Sequence, residues 1–130
     1  MAENTSTILI VDDQPVNLKL LFTFLKEQNF HLLVADSGER ALKALAKEKK
    51  PDLILLDVMM PGMDGFEVCR RLKSDPDTTH IPVIFVTGKD DAKDQQEGIS
   101  LGAVGYLQKP INLKHVLELV EQHVADSSTT

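Results

Sequence analysis

Tryptophan is absent from this sequence, tyrosine and cysteine occur once each, and no apolar run approaches a membrane span in length. Each shortage excludes something. A lone Cys69 has no partner for an internal disulfide, so a reducing compartment is the simplest reading. A membrane helix needs about 20 consecutive apolar residues. Residues 1–7 contain neither Lys nor Arg and no long apolar stretch, so no signal peptide is read there. A cytoplasmic protein is expected. Scarce aromatics leave the core to Leu, Ile and Val, with Phe22, Phe24, Phe30, Phe66 and Phe85 as fillers. Basic residues are also in the minority, 14 Lys and Arg against 20 Asp and Glu, for a net charge of -6. That argues against a dedicated nucleic-acid binder, whose phosphate contacts need clustered cations, and against an anionic membrane surface as partner.

The chain has 130 residues, 42% of them hydrophobic, which suits one domain that buries enough surface to need no staples. Four short apolar runs stand out: Ile8–Val11, Leu32–Ala35, Leu53–Leu56 and Val83–Val86. A fifth, Ala103–Leu107, is more mixed. Short unbroken runs bounded by turn residues fit strands buried on both faces, as in a parallel sheet.

Helical patterns lie between and after them. Leu18, Leu21, Phe22 and Leu25 recur at helical spacing behind Pro15, a residue suited to a first helical position. A second helix is expected near Asp36, with Glu39 three residues on and an apolar face of Ala41, Leu42 and Leu45. A third begins at Asp64, with Glu67 repeating that spacing, and stops before Asp75-Pro76. A fourth, around Asp91 to Leu101, has little apolar face and is interrupted by Gly98. The last presents Leu113, Val116, Leu117, Val120 and Val124 behind a capping Asn112.

Five β-α repeats predict an α/β fold, an open parallel sheet with helices on both sides and right-handed crossovers. The second and fifth strands are the less apolar and belong at the edges, which favours the order 2-1-3-4-5. Residues 7–124 are read as the folded domain, residues 1–6 as a flexible N-terminus and residues 125–130 as a flexible tail or the start of a linker.

Ligands of such sheets bind beyond the carboxyl ends of the strands, near the switch in strand order. Asp12 and Asp13 follow the first strand, Asp57 the third, Thr87 the fourth, and Lys109 with Pro110 the fifth. Three converging carboxylates repel, at about 4 kcal/mol per pair for a 4 Å separation and an effective dielectric near 20. Lys109 offsets one charge, and a small hard dication suits the rest; an oxygen-only donor set points to Mg²⁺. Phosphoryl transfer needs these same parts, a nucleophile such as Asp57 and donors such as Lys109 and Thr87 around the phosphoryl oxygens.

Taken singly, each residue has an ordinary explanation. The acids cap helices or turns, Lys109 is a solvated lysine, Thr87 is a common strand residue and Tyr106 belongs to an edge strand. The four His show no metal-ligand spacing, and Cys69 reads as an inert helix residue. The set in order is another matter. Ile8 to Asp13, the stretch Asp57-Val58-Met59-Met60-Pro61-Gly62-Met63-Asp64-Gly65, then Thr87-Gly88 and Lys109-Pro110 together resemble the receiver domains of two-component response regulators, over nearly the whole chain.

That resemblance implies a flavodoxin-like doubly wound (βα)5 sandwich and a phosphorelay role. Asp57 would be the phospho-acceptor, served by a sensor histidine kinase or a histidine phosphotransfer protein. Asp13, Asp12 (partly through water), Asp57 and the backbone carbonyl of Met59 would hold Mg²⁺, with Mn²⁺ as a substitute. Thr87, Gly88 and Lys109 would meet the phosphoryl group, Tyr106 would turn inward upon activation, and the Lys109-Pro110 peptide would be cis. The face of the fourth helix, fifth strand and fifth helix would control an output partner or pair with a second copy. Met59 and Lys89 occupy the positions that influence the lifetime of the phosphoryl group. Neither is a carboxylate or amide, so an unusually short lifetime is not expected.

Such a domain is not an enzyme beyond its own phosphoryl transfer and dephosphorylation. The alternative within the family is a degenerate receiver that docks partners unphosphorylated. Outside it, a haloacid dehalogenase-type phosphohydrolase would want a D-x-D pair after its first strand, and a flavin-binding protein would want a donor-rich loop where acidic Asp12-Asp13 stands.

Overall fold

In a computed structural model the described residues are 6–47, 50–88 and 92–128, with side chains described as far as residue 124. Five strands alternate with five helices: β1 (Thr7–Val11), α1 (Pro15–Glu27), β2 (His31–Ala35), α2 (Gly38–Leu45), β3 (Leu53–Leu56), α3 (Gly65–Ser74), β4 (Val83–Thr87), α4 (Ala92–Ser100), β5 (Gly105–Gln108) and α5 (Leu113–Ser128). All strand pairs are parallel and the order is β2-β1-β3-β4-β5, as expected from the sequence.

The unbroken apolar runs have a simple cause. Side chains alternate across a strand, and here both faces are covered. Leu9, Val11, Ile54, Leu56, Val83 and Phe85 face one core, with Ala41 and Leu45 of α2 and Phe66, Val68, Cys69 and Leu72 of α3. Ile8, Ile10, Leu53, Leu55, Ile84 and Val86 face the other, with Leu21 and Leu25 of α1 and Val116, Val120 and Val124 of α5. The three inner strands β1, β3 and β4 are buried throughout, whereas β2 and β5 are partly exposed, as edge strands should be.

Helix ends follow local chemistry. Pro15 is the first residue of α1. Asp64 caps α3 by accepting from the Glu67 amide at 2.9 Å, and Asn112 accepts from the His115 amide at 3.1 Å at the start of α5. The second helix departs from the sequence reading. Ser37, not Asp36, is its cap and accepts from the Arg40 amide at 3.1 Å, while Asp36 pairs with the Arg40 guanidinium. Two adjacent residues with capping side chains compete there, and the one nearer the first turn takes the amide.

The fifth strand begins two residues later than its apolar pattern suggests. Gly102 takes φ +103° to close α4, and the Ala103 amide donates back to the Gly98 carbonyl at 3.2 Å, so that residue belongs to the helix end. The first residue expected in α4, Asp91, lies outside the described residues; the helix itself runs Ala92–Ser100. At the other end of the chain α5 is helical through Ser128.

Candidate functional site at the carboxyl end of the sheet

The site is assembled by the sheet's own hydrogen bonds. The Asp12 amide donates to the Ala35 carbonyl at 3.2 Å, the Asp57 amide to the Val11 carbonyl at 2.9 Å, and the Lys109 amide to the Thr87 carbonyl at 2.8 Å. Each bond extends the ladder one step past a strand. The functional side chains therefore sit on backbone that is still held by its neighbours.

Asp12 and Asp57 are almost fully buried, at 2% and 3% exposed, and Asp13 is half-buried. One carboxylate oxygen from each of the three lies within 4.8 Å of the others. The Lys109 ammonium bridges two of them, donating to Asp12 Oδ2 at 2.9 Å and to Asp57 Oδ2 at 3.2 Å. The remaining oxygens are oriented by backbone. The Gln14 amide donates to Asp12 Oδ1 at 2.9 Å and the Met59 amide to Asp57 Oδ1 at 3.3 Å. Thr87 is fully buried, and its side chain lies near enough to the Asp57 carboxylate to favour the charged form.

Burial pushes the Asp57 carboxyl above its ordinary range, and the Asp12 charge adds to that; Lys109 and the Thr87 hydroxyl pull the other way without cancelling it. For Lys109, burial works to lower the ammonium's pKa. The hydrogen bonds and charges of Asp12 and Asp57 outweigh it, and the net direction is up. The pocket thus holds more negative charge than its one cation compensates. Its donors are all oxygens, the ligand chemistry of a hard dication such as Mg²⁺, and among the described residues it is the one acidic cluster with metal-ligand spacing.

The structure brings together Asp12, Asp13, Asp57, Thr87 and Lys109, each named from the sequence. Met59 has its backbone at the Asp57 carboxylate and its side chain exposed at the rim. Gly88 is exposed just past Thr87. The Lys109-Pro110 peptide is cis. Tyr106 lies two residues back along β5 from the level of Thr87, half-buried, with its ring 5.7 Å from that of Phe85. Lys89 is outside the described residues.

One residue that matters enters the sequence reading only as the last of the Asp57–Gly65 stretch. Gly65 opens α3 so close to β3 that a Cβ there would stand 2.1 Å from the Asp57 carbonyl oxygen and 2.8 Å from Val58 Cα. Its amide donates to the Val58 carbonyl at 2.8 Å. The signal was present as a glycine in helical position directly behind a capping Asp.

The response regulator receiver domain family matches residues 8–121. PleD, a response regulator of Caulobacter vibrioides, is 48% identical over 108 residues, 83% of this chain and 24% of PleD. A probable cyclic di-GMP phosphodiesterase of Vibrio cholerae is 45% identical over 118 residues, 91% of this chain and 26% of that protein. The chain thus spans about a quarter of these two relatives. It spans nearly all of PilH from Pseudomonas aeruginosa, 40% identical over 91% of this chain and 97% of PilH. Among solved structures, a putative response regulator from Chloroflexus aurantiacus superposes with TM-score 0.87 at 32% identity, covering 94% of this chain and 99% of that one.

Proposed function

Because the chain belongs to the response regulator receiver domain family of two-component signalling, we propose that Asp57 is its phospho-acceptor and that Asp12, Asp13, Thr87 and Lys109 are the machinery of that transfer. The observation that carries the assignment is the position of Asp57: it directly follows the central strand β3, between Asp12 after β1 and Thr87 at the end of β4, and its Oδ2 accepts from the Lys109 ammonium at 3.2 Å.

In this reading an Asp57 carboxylate oxygen attacks the phosphorus of a phosphohistidine on a sensor kinase or phosphotransfer protein. The new O–P bond forms as the P–N bond breaks and the imidazole leaves. Lys109, already within reach of Asp57, meets one phosphoryl oxygen and the Thr87 hydroxyl another. Asp12, Asp13, Asp57 and the Met59 carbonyl would hold Mg²⁺, or Mn²⁺ in its place. The bound ion would supply charge neutralisation between the acids and the incoming phosphoryl oxygens.

The acyl phosphate carries close to two negative charges where the carboxylate carried one, and brings three acceptor oxygens to Thr87 and Lys109; Tyr106 responds on the same strand. The face formed by α4, β5 and α5 then engages an output domain, a separate partner or a second copy. No further turnover is assigned to the chain. The free, buried Cys69 supports a cytoplasmic setting, and among the described residues no helix is long and apolar enough to cross a membrane.

The test is intact mass after exposure to acetyl phosphate or phosphoramidate with Mg²⁺. One phosphoryl group should be gained by the native chain and by Asp64→Asn, and none by Asp57→Asn. No gain in the native chain would promote the degenerate, docking-only receiver in its place.

A further inference from the structure

Helix α4 is held to the sheet by very little. Among its described residues only Gly98 is buried, and Ile99 beside it is half exposed to solvent. A glycine inside a helix costs roughly 0.5–1 kcal/mol relative to alanine, so its presence at the single buried position calls for a reason. The reason is steric. A Cβ on Gly98 would stand 3.0 Å from Tyr106 Cδ2 and 3.1 and 3.2 Å from Phe85 Cδ2 and Cε2. The two rings are themselves in contact, tilted at 51° with centroids 5.7 Å apart. The missing side chain is the seat in which the edge of the Tyr106 ring rests.

That seat lies on the same surface as the acidic site. Phe85 and Thr87 alternate on β4 and therefore face the same way, and Phe85 pairs in register with Tyr106 as Thr87 does with Gln108. Thr87 ends β4 beside Asp57, its side chain near enough to the carboxylate to favour the charged form. A group that occupies the Asp57 carboxylate and draws on Thr87 acts two residues along the strand from the ring contact that holds α4.

We propose that Gly98 is a positioning residue for this switch: its lack of a Cβ seats the Tyr106 ring in the unphosphorylated arrangement and so couples occupancy at Asp57 to the position of α4. The proposal rests on Asp57 being the phospho-acceptor. Its consequence is directional. A methyl group at position 98 crowds the ring in the unoccupied state, raises that state's free energy, and makes the phosphoryl-bound arrangement easier to reach.

The experiment uses beryllofluoride with Mg²⁺ as the phosphoryl stand-in, with bound fluoride read by ¹⁹F NMR in the native chain, Gly98→Ala, Tyr106→Leu and the double variant. Gly98→Ala should lower the half-saturating concentration about fivefold, the size of a net crowding cost near 1 kcal/mol. In the Tyr106→Leu background the same change should do nothing, because the ring it crowds is gone. An unchanged or raised concentration in Gly98→Ala overturns the proposal. So does an equal fall in both backgrounds, which would trace the effect to helix propensity or to Phe85.

The chain has one tyrosine and no tryptophan, so the tyrosine band of the near-ultraviolet dichroism, to the red of the phenylalanine bands, isolates Tyr106 in the unliganded protein. Gly98→Ala should change that signal, and no change counts against the seat. This arm stands even if the native chain binds no beryllofluoride, a result that would instead remove the phospho-acceptor assignment. Should Gly98→Ala fail to fold, recovery by Tyr106→Leu supports the contact and continued unfolding contradicts it.

Discussion

Asp57 sits where its charge is least favoured in the unliganded domain, buried and beside Asp12, with Lys109 and Thr87 as partial relief. Its pKa is raised, so between the unfolded value near 3.8 and the higher folded value the native state binds more protons than the unfolded chain. Stability from this group therefore falls as pH rises through that window and stays lowered above it. Lys109 acts over a different range: its pKa is raised above 10.5, and its stabilising contribution is lost only at alkaline pH. We predict that, in chelator, Asp57→Asn melts at a higher temperature than the native chain near pH 7. The difference should shrink as pH falls toward 4. Thermal melts over that range check it, and a lower melting point for Asp57→Asn at neutral pH would contradict it. The acids, Thr87 and Lys109 were legible in the sequence because each stands at or just past the carboxyl end of an apolar run. Which oxygen bonds which donor was not, because that depends on register between strands distant in the chain.

At the scale of elements, the β3–α3 connection fixes the site. Asp64 caps α3, and Gly65 lets the helix start against the Asp57 backbone. The two residues are adjacent but not equivalent. Gly65→Ala places a methyl group against the Asp57 carbonyl, and the expected cost is at least about 2 kcal/mol. It should also slow phosphorylation, since the acceptor's own backbone must move. Asp64→Ala loses only a cap, at about 1 kcal/mol, and should keep a near-native rate. Melting and time-resolved intact mass on the two variants separate these outcomes; equal phosphorylation rates would show that Gly65 matters to folding alone. Capping patterns located α3 and α5 from sequence because one capping residue preceded each. For α2, Asp36 and Ser37 were rivals that only geometry resolves. The late start of β5 was hidden because Ala103 is as apolar as a strand residue, yet its amide completes the end of α4. Gly98 read as an interruption because its partners, Phe85 and Tyr106, come from other strands.

The whole molecule is a two-faced sheet whose inner strands are apolar on both sides, and this is why the architecture was legible in the alternation of apolar runs and helical patterns, and the edge places of β2 and β5 in their weaker apolarity. Alternate residues of β1, β3 and β4 enter different cores, and the buried acids Asp12 and Asp57 stand just past the carboxyl ends of those strands. The unbalanced negative charge there gives a global prediction. Mg²⁺ should stabilise the native chain by about 2.7 kcal/mol at one hundred times its dissociation constant. Asp13→Asn should lose most of that gain while folding normally in chelator. A full gain in Asp13→Asn would remove that residue from the metal site.

The most direct test of the central claim locates the acyl phosphate chemically. Borohydride reduces an aspartyl phosphate to homoserine, and peptide mapping by mass then reads the position. After acetyl phosphate and Mg²⁺, homoserine is expected at residue 57 and at no other. Homoserine at 12, 13 or 64, or a phosphoryl group that survives as a stable ester on Ser or Thr, would contradict the account.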